Sequence, residues 1–408
     1  MANTNLTVDQ VTNRAQMVLH QKLNFIGNCN RQYDDSYKTG GAKGGSDIRI
    51  KLPNEFTVRS GKTLNVEDVE TQSVTMSTST QKGVDMNFSS QELTQDISLF
   101  SENYIEPAMS ALAAVVESDA LSMYKDVYDE VSDVSEDPAL RDILDMGSRL
   151  TENLAPYQDR CLLLRPRSEV ALIDALSGLF SASSNLDKHY REGRIANNFV
   201  GFQDVFCNTM LPNHQSGTDD GTGDYLINGG TLTGKTLTVD TGAGTLLKGD
   251  ILLLEDVFRV HPETKVTTAK AQPFVVTTST GTSATSLSIE PGITASGGRQ
   301  NVDAAAVNNK SLHKVESNTR LITGVDIGAS ANYGIDLAFH KNAFAFATAD
   351  LEVPKGVHFA GRRVQDGISL RMVRDYDINN DNMPCRLDIL YGYKTIRPQL
   401  ACRGGFIA

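Results

Sequence analysis

The sequence predicts an α+β chain into which an all-β domain is inserted, and three observations carry that expectation. Before residue 212, stretches with helical spacing of apolar side chains alternate with short strands of period two. Between Leu211 and Gln300 the composition changes: 36 of 90 residues are Thr, Ser or Gly, and the periodic segments shrink to short runs. After about Ser317 the mixed pattern returns, as it does when a domain is inserted in a loop of an α+β chain.

Taken in order, Val8, Val11, Ala15, Val18, Leu19 and Leu23 stand at near-helical spacing with Thr7 placed as a cap, so residues 7–28 are expected to form an amphipathic helix. Four glycines between Thr39 and Ser46 make a flexible joint that sets an arm apart. Ile48, Ile50 and Leu52 then alternate with Arg49 and Lys51 in a strand that Pro53 ends. Phe56 and Val58 prolong the extended chain, which returns through Val74 and Met76 to Val84, Met86 and Phe88. Such a two-stranded excursion is too thin to bury a core alone.

Ser89 and Glu92 fit a capping box, and Pro107 marks the first turn of a main helix. Ala108, Leu112, Val115, Val116, Ala120, Met123 and Val127 give the expected buried face of that helix. Pro138 opens a further helix through Leu150, Cys161 to Leu164 reads as a buried strand, and Ser168 starts a helix through Leu176. The insertion is expected to hold about six strands, among them 236–239, 251–254, 258–260 and 274–276. Apolar strands at 343–347, 368–373 and 386–391 finish the chain.

Composition narrows the function. No apolar run approaches the roughly 20 residues of a membrane span, and the polar N-terminus has no secretory pattern, so the chain is expected to stay in the cytosol. The five cysteines Cys29, Cys161, Cys207, Cys385 and Cys402 are odd in number, widely spaced and free of C-x-x-C, against a disulfide framework or zinc site. They read as reduced and mostly buried, with a Cys385 to Cys402 bridge as the alternative. A net charge of −12 disfavours the chain as a whole as a nucleic-acid binder. The charge is uneven: residues 10–62 carry nine Lys/Arg against four Asp/Glu, and residues 63–145 carry three against eighteen.

Residues 229–236, GGTLTGKT, fit G-x-x-x-x-G-K-[ST], and 251–256 read apolar then acidic like a magnesium-holding strand. The phosphate loop needs a helix behind it, whereas LTVDTGAGTL reads as strand and turn, so a P-loop ATPase is the remote alternative. Asp375, Asp377, Asn379 and Asp381 begin like a calcium loop, but Asn380 stands where Gly is wanted and Arg386 where Glu is wanted, so a polar hairpin turn is expected. The seven histidines are scattered, and neither H-E-x-x-H nor G-x-S-x-G occurs. No catalytic constellation, cofactor site or metal site is expected.

The order of segments, together with IKLPNEFTVRSGKTLN followed by QKGVDMNFSSQELTQDISLFSENYIEPAMSALAAVVESDAL, resembles the loop and spine helix of tailed-phage coat proteins of the HK97-type fold. FVGFQDVFCNTMLP at 199–212, with LLKGDILLLEDVF and AQPFVVT, resembles the P22-like group, whose subunits carry an insertion. AFHKNAFAFATADLEVP and RLDILYGYKTIRPQLACRG are similar to that family's closing strands. The resemblance implies an N-terminal arm (1–46), an extended loop (47–88), a spine helix and peripheral domain (89–136), an axial domain (137–213), an inserted barrel-like β-domain (214–317) and axial and peripheral closing strands (318–408).

As function, the resemblance implies a major capsid protein, not an enzyme, that self-assembles into pentamers and hexamers of an icosahedral shell around phage double-stranded DNA. A scaffolding protein and a portal protein are further implied partners, a decoration protein is left open, and the location is the virion after assembly in the host cytoplasm. An encapsulin-type cargo shell of the same fold is the alternative, expected to lack the long insertion. The HK97 subunit cross-link is not carried over, because no stretch here identifies its Lys and Asn partners. The charge gradient adds an expectation of head-to-tail contact, with Arg49, Lys51, Arg59 and Lys62 of one subunit meeting Glu102, Glu106 and Asp119 of the next. Asp219, Asp220 and Asp224, at the start of the insertion, are candidates for contacts between capsomers.

Overall fold

The computed structural model describes residues 23–31, 47–56, 58, 61–64, 66, 71–89, 106–133, 136–177, 199–218, 225–229, 233–240, 242–304, 311–314, 330–365 and 368–407. Most of the expected arm helix, its glycine joint and Glu92 of the expected capping box lie outside them, while Ser89, the expected cap, is the last residue of a strand. In chain order the elements are α1 (Asn24–Gly27), β1 (Asp47–Lys51), β2 (Ser73–Ser77), β3 (Thr80–Ser89), α2 (Glu106–Leu121), β4 (Glu130–Asp133), α3 (Leu140–Glu152), β5 (Arg160–Leu164), α4 (Pro166–Ser177), β6 (Asp204–Cys207) and β7 (Asn213–Gln215). There follow β8 (Tyr225–Ile227), β9 (Gly234–Asp240), β10 (Ile251–Val260), β11 (Thr267–Val276), β12 (Ser286–Ile293), β13 (Val302–Ala304) and β14 (Ser311–Lys314). Last come β15 (Asn332–His340), β16 (Phe344–Ala349), β17 (Phe359–Gln365), β18 (Ile368–Arg374), β19 (Asn382–Thr395) and β20 (Ala401–Ile407).

Two compact units emerge, the first formed by residues 1–51, 73–121 and 344–396. Its core sheet runs β16-β19-β18-β17, with β3 added on β19. β3 therefore does not belong to the two-stranded excursion the sequence suggested: β1 pairs with β2 alone, while β3 pairs with β19 over ten residues, Asn382↔Ser89 to Tyr391↔Thr80. Gly83 lies opposite Asp388, and a Cβ there would come within 2.5 Å of Asp388 Oδ1. The glycine thus leaves room for a fully buried carboxylate that accepts from Arg371 Nη2 and Arg386 Nε, each at 2.7 Å.

α2 starts one residue before Pro107 and passes into a 3-10 turn, Ser122–Asp126. Met109, Leu112, Ala113, Val116 and Ala120 form its buried stripe. Val115, expected on that face, is 44% exposed, because at 100° per residue it falls a quarter-turn off the stripe centred on Val116. On the same helix the buried Glu117 accepts the N–H groups of Phe25 (2.5 Å) and Ile26 (3.3 Å), fastening α1 to α2. Phe25 also packs edge-on against Phe344, with ring centroids 5.4 Å apart.

The second unit comprises residues 52–72, 122–343 and 397–408. One of its sheets has the order β4-β20-β15-β5-β6, with β7 also pairing β15. β15 is buried from Tyr333 to His340, as a central strand with neighbours on both edges requires, and α3 packs on β20. α3 begins two residues after Pro138, and Asp142 Oδ2 takes the Ala139 N–H at 2.8 Å. α4 begins at Pro166, two residues before the expected Ser168, since proline is tolerated in a first helical turn.

The inserted β-domain is a closed barrel. Strand order is β11-β12-β9-β8-β14-β10-β13, and the further pairing of β10 with β11 joins the ends of a six-stranded ring, leaving β13 on its flank. Tyr225, Leu237, Leu252, Phe274, Ile289 and Leu312 fill the interior. The two strands expected at 251–254 and 258–260 are one: β10 runs through both, with a register shift between Leu253 and Phe258 and Asp256 at φ 60°. The five cysteines are free thiols. Cys385 and Cys402 are both free, so the alternative bridge between them is not formed. Cys207, expected among the mostly buried thiols, is exposed.

Candidate subunit-contact surface and its buried support

β1 presents Arg49 and Lys51 on its exposed edge, two residues apart and therefore on one face, while Ile50 is buried. Their cross-strand partners in β2 are Thr75 and Ser73, so no opposite charge on the neighbouring strand engages them directly. Beyond β1 the loop carries Lys62, exposed, and four apolar side chains that the chain leaves in solvent: Phe56 60%, Val58 94%, Leu64 77% and Val66 76% exposed. Isolated surface apolars are ordinary, but four on one loop make an exposed apolar surface of a kind that marks candidate contact sites. In the sequence Phe56 and Val58 read as extended chain, and Leu64 and Val66 escape notice; the available signal is a set of apolar residues with no facing apolar run to meet it. Arg59 lies outside the described residues.

Of the acidic partners expected for this surface, Asp119 is engaged within its own chain. Its Oδ2 accepts the Tyr391 hydroxyl at 2.5 Å and lies 3.5 Å from Lys82 Nζ; the Tyr391 pKa is pushed up, by burial first and by this carboxylate second. Glu106 is the first residue of α2. Glu102, Asp219, Asp220 and Asp224 lie outside the described residues.

Two motifs resolve into structural turns and strands. Lys235 of the phosphate-loop pattern sits in β9, where its Nζ pairs with Glu290 Oε2 at 2.6 Å, and a strand follows in place of a helix. Without a helix N-terminus behind the loop, the nucleotide reading has no cradle. The acidic run at 375–381 is the turn between β18 and β19, closed by the Asp377↔Asn382 bridge, with Asp377 accepting Asn379 N (3.0 Å) and Asn380 Nδ2 (2.7 Å). That turn also exposes Ile378 at 81%.

Within the second unit, the foot of the barrel is tied to the neighbouring sheet by buried charge. Arg403 in β20 pairs with Glu130 in β4, both fully buried, and its Nη2 donates to the Gly249 carbonyl at 2.5 Å. Arg259 of β10 pairs with Asp129 and reaches Asn153 Oδ1 at 3.3 Å. His214 of β7 lies 3.0 Å from Asp250 Oδ1 through Nε2 and 3.0 Å from the Tyr124 hydroxyl through Nδ1. A carboxylate only accepts, so Nε2 carries the proton and Nδ1 accepts from Tyr124. Asp250 Oδ2 takes the remaining donors, Gly217 N (3.1 Å) and Leu247 N (2.8 Å).

The Tyr-His-Asp line has the outline of a catalytic relay but not its chemistry. Burial pushes Tyr124 up to about 12 and holds His214 below the ordinary imidazole value, so the tyrosine keeps its proton at neutral pH. Tyr124 and His214 are 3% and 2% exposed, out of reach of a substrate. The line acts as a satisfied polar joint. Among the described residues no helix is long and apolar enough to cross a membrane.

No curated protein matches the chain. Among solved structures it is similar to a chain of Mycobacterium phage Che8 (13% identity, TM-score 0.46, covering 92% of this chain and 89% of that one). It is also similar to a chain of the bacteriophage PhiM1 mature capsid (10%, 0.46, 89% and 83%) and of the cyanophage P-SCSP1u capsid (10%, 0.44, 89% and 84%). The family model described as P22 coat protein, gene protein 5, matches residues 31–406, which takes in both units and the barrel, and the chain belongs to the P22 coat protein family.

Proposed function

We propose that this phage coat protein is the major capsid subunit of a tailed phage, assembling head-to-tail into pentamers and hexamers of an HK97-type icosahedral shell around double-stranded DNA. The family match over residues 31–406 carries the reading. The exposed apolar side chains of the loop after β1 support it, since a neighbouring subunit would cover them on ring closure. Arg49, Lys51, Arg59 and Lys62 supply steering toward the acidic Glu102, Glu106 and Asp119 region of that neighbour, with Asp219, Asp220 and Asp224 acting between capsomers. Residues 1–46 serve as the arm, 47–88 as the extended loop with β3 rooting its return on β19, 89–136 as the spine region and 214–317 as the insertion.

A scaffolding protein and a portal complete the assembly. A net charge of −12 suits a wall from which packaged DNA must later leave. The test is negative-stain electron microscopy of the purified chain, alone and with its scaffolding protein. Closed shells or capsomer rings are expected; a dispersed monomer in both conditions overturns the reading.

A further inference from the structure

Glu55, in the loop after β1, meets Lys265, in the turn between β10 and β11, across 210 residues of sequence, with Nζ to Oε2 at 2.9 Å. Lys265 Nζ also donates to the Gln300 carbonyl at 3.2 Å, and its side chain is only 13% exposed, against 51% for Glu55. The turn that holds Lys265 is itself braced. His261 N donates to Val266 O at 2.9 Å and Lys265 N to His261 O at 3.0 Å, while His261 Nδ1 accepts the Glu263 and Thr264 N–H groups. Lys265 has φ 56°, a conformation that glycine or asparagine adopts more readily, so the side chain and not the backbone accounts for a lysine at this position. A fixed ammonium on the barrel thus grips a carboxylate on the loop, while Phe56 and Val58 next to that carboxylate stay uncovered.

We propose that Lys265 is a lock acting within one subunit, parking the extended loop on its own barrel through Glu55 until a second copy covers the loop's apolar side chains. The inference rests on the assembly reading above. A contact with one partner half exposed is weak enough to break when the larger apolar contact forms, which is what a releasable latch requires. It also predicts sensitivity to salt, since a partly exposed pair is screened.

The experiment compares full-length wild type with Glu55→Gln, Lys265→Gln, and the exchange Glu55→Lys with Lys265→Glu. Hydrogen exchange of the 52–66 segment is followed in the unassembled subunit, and light scattering follows shell formation with the scaffolding protein. Both single variants are expected to exchange about two- to five-fold faster across the loop and to assemble faster, with the charge exchange partly restoring the wild-type rates, since a carboxylate at 265 loses the bond to the Gln300 carbonyl. Unchanged loop exchange in the single variants overturns the lock. Faster exchange with slower assembly also overturns it, because the pair would then be an assembly contact. Should wild type form no shells, the assembly reading falls while loop exchange still decides whether the pair holds the loop.

Discussion

Arg403 and Glu130 are register partners on the parallel strands β20 and β4, and their side chains form an ion pair from which water is excluded. Arg403 then reaches the carbonyl of Gly249, which has a φ of 103° and lies so close to His214 that an added Cβ would stand 2.9 Å from the ring, leaving no room for a larger residue. One guanidinium therefore joins β20, β4 and the foot of the barrel. Arg403→Met leaves the Glu130 carboxylate buried without a counter-ion, at a cost of about 3–5 kcal/mol. Urea unfolding of Arg403→Met, Glu130→Gln and the double variant should give a double far less destabilised than the two singles summed. Simple additivity would show the pair to be uncoupled.

Two buried groups make stability respond to pH in opposite directions. Burial, opposed by the Asp250 hydrogen bond, holds His214 below its ordinary value of 6.5, and Asp250, Tyr124, Tyr333, Arg403 and Glu130 face it. A depressed histidine binds its proton less well folded than unfolded. Its contribution is complete above pH 6.5 and lost as pH falls below it. Asp336 is raised by burial from 3.8 to about 6, against the pull of Ser168 and Arg165. Its folded form holds the proton more tightly, so its contribution is complete below 3.8 and lost as pH rises to 6. The stability advantage of wild type over His214→Gln should shrink from about pH 7 to about pH 5, while its advantage over Asp336→Asn should grow from about pH 6.5 to about pH 4. Denaturant midpoints across that range check both signs.

Glu117 sets a third expectation, at α1. Glu117→Ala strips the Phe25 and Ile26 amides of their acceptor in a buried site, costing about 1–3 kcal/mol locally. Amide exchange at Phe25 and Ile26 should accelerate by about tenfold or more, with β19 amides unchanged. Equal acceleration in both places would mean global destabilisation and would remove Glu117 as a specific tether.

The barrel and the closing strands were legible because their signal is local: alternation in 236–239 and short apolar runs at 274–276 and 389–391 need no knowledge of partners. The phosphate-loop decoy was also legible, since the residues after Lys235 already spelled a strand. What stayed hidden was pairing across long separations. Nothing near Arg403 announces Glu130, 273 residues away, and nothing near Glu117 announces the Phe25 amide. Asp119 shows the same limit: its charge suggested an outward partner, and nothing near it announced that Lys82 and Tyr391 of its own chain also engage it. Composition gives the sign of a charge and not the direction in which it points.

Charge reversal tests whether the remaining basic residues face a neighbour. Lys62 is exposed on the loop, and Arg59 precedes it by three residues in a segment that carries no acidic residue between Glu55 and Glu67. Arg59→Glu with Lys62→Glu changes local charge by four units at positions remote in sequence from the barrel core and the central sheets, so far-UV circular dichroism and the thermal midpoint should stay near wild type. If these cations meet the acidic stretch of an adjoining subunit, like charges would then oppose each other across the contact, and association would fall most steeply at low ionic strength. The expected outcome is a folded subunit that forms no rings, partly rescued by salt. Normal shells from the folded double variant would show that these charges only solvate their own face.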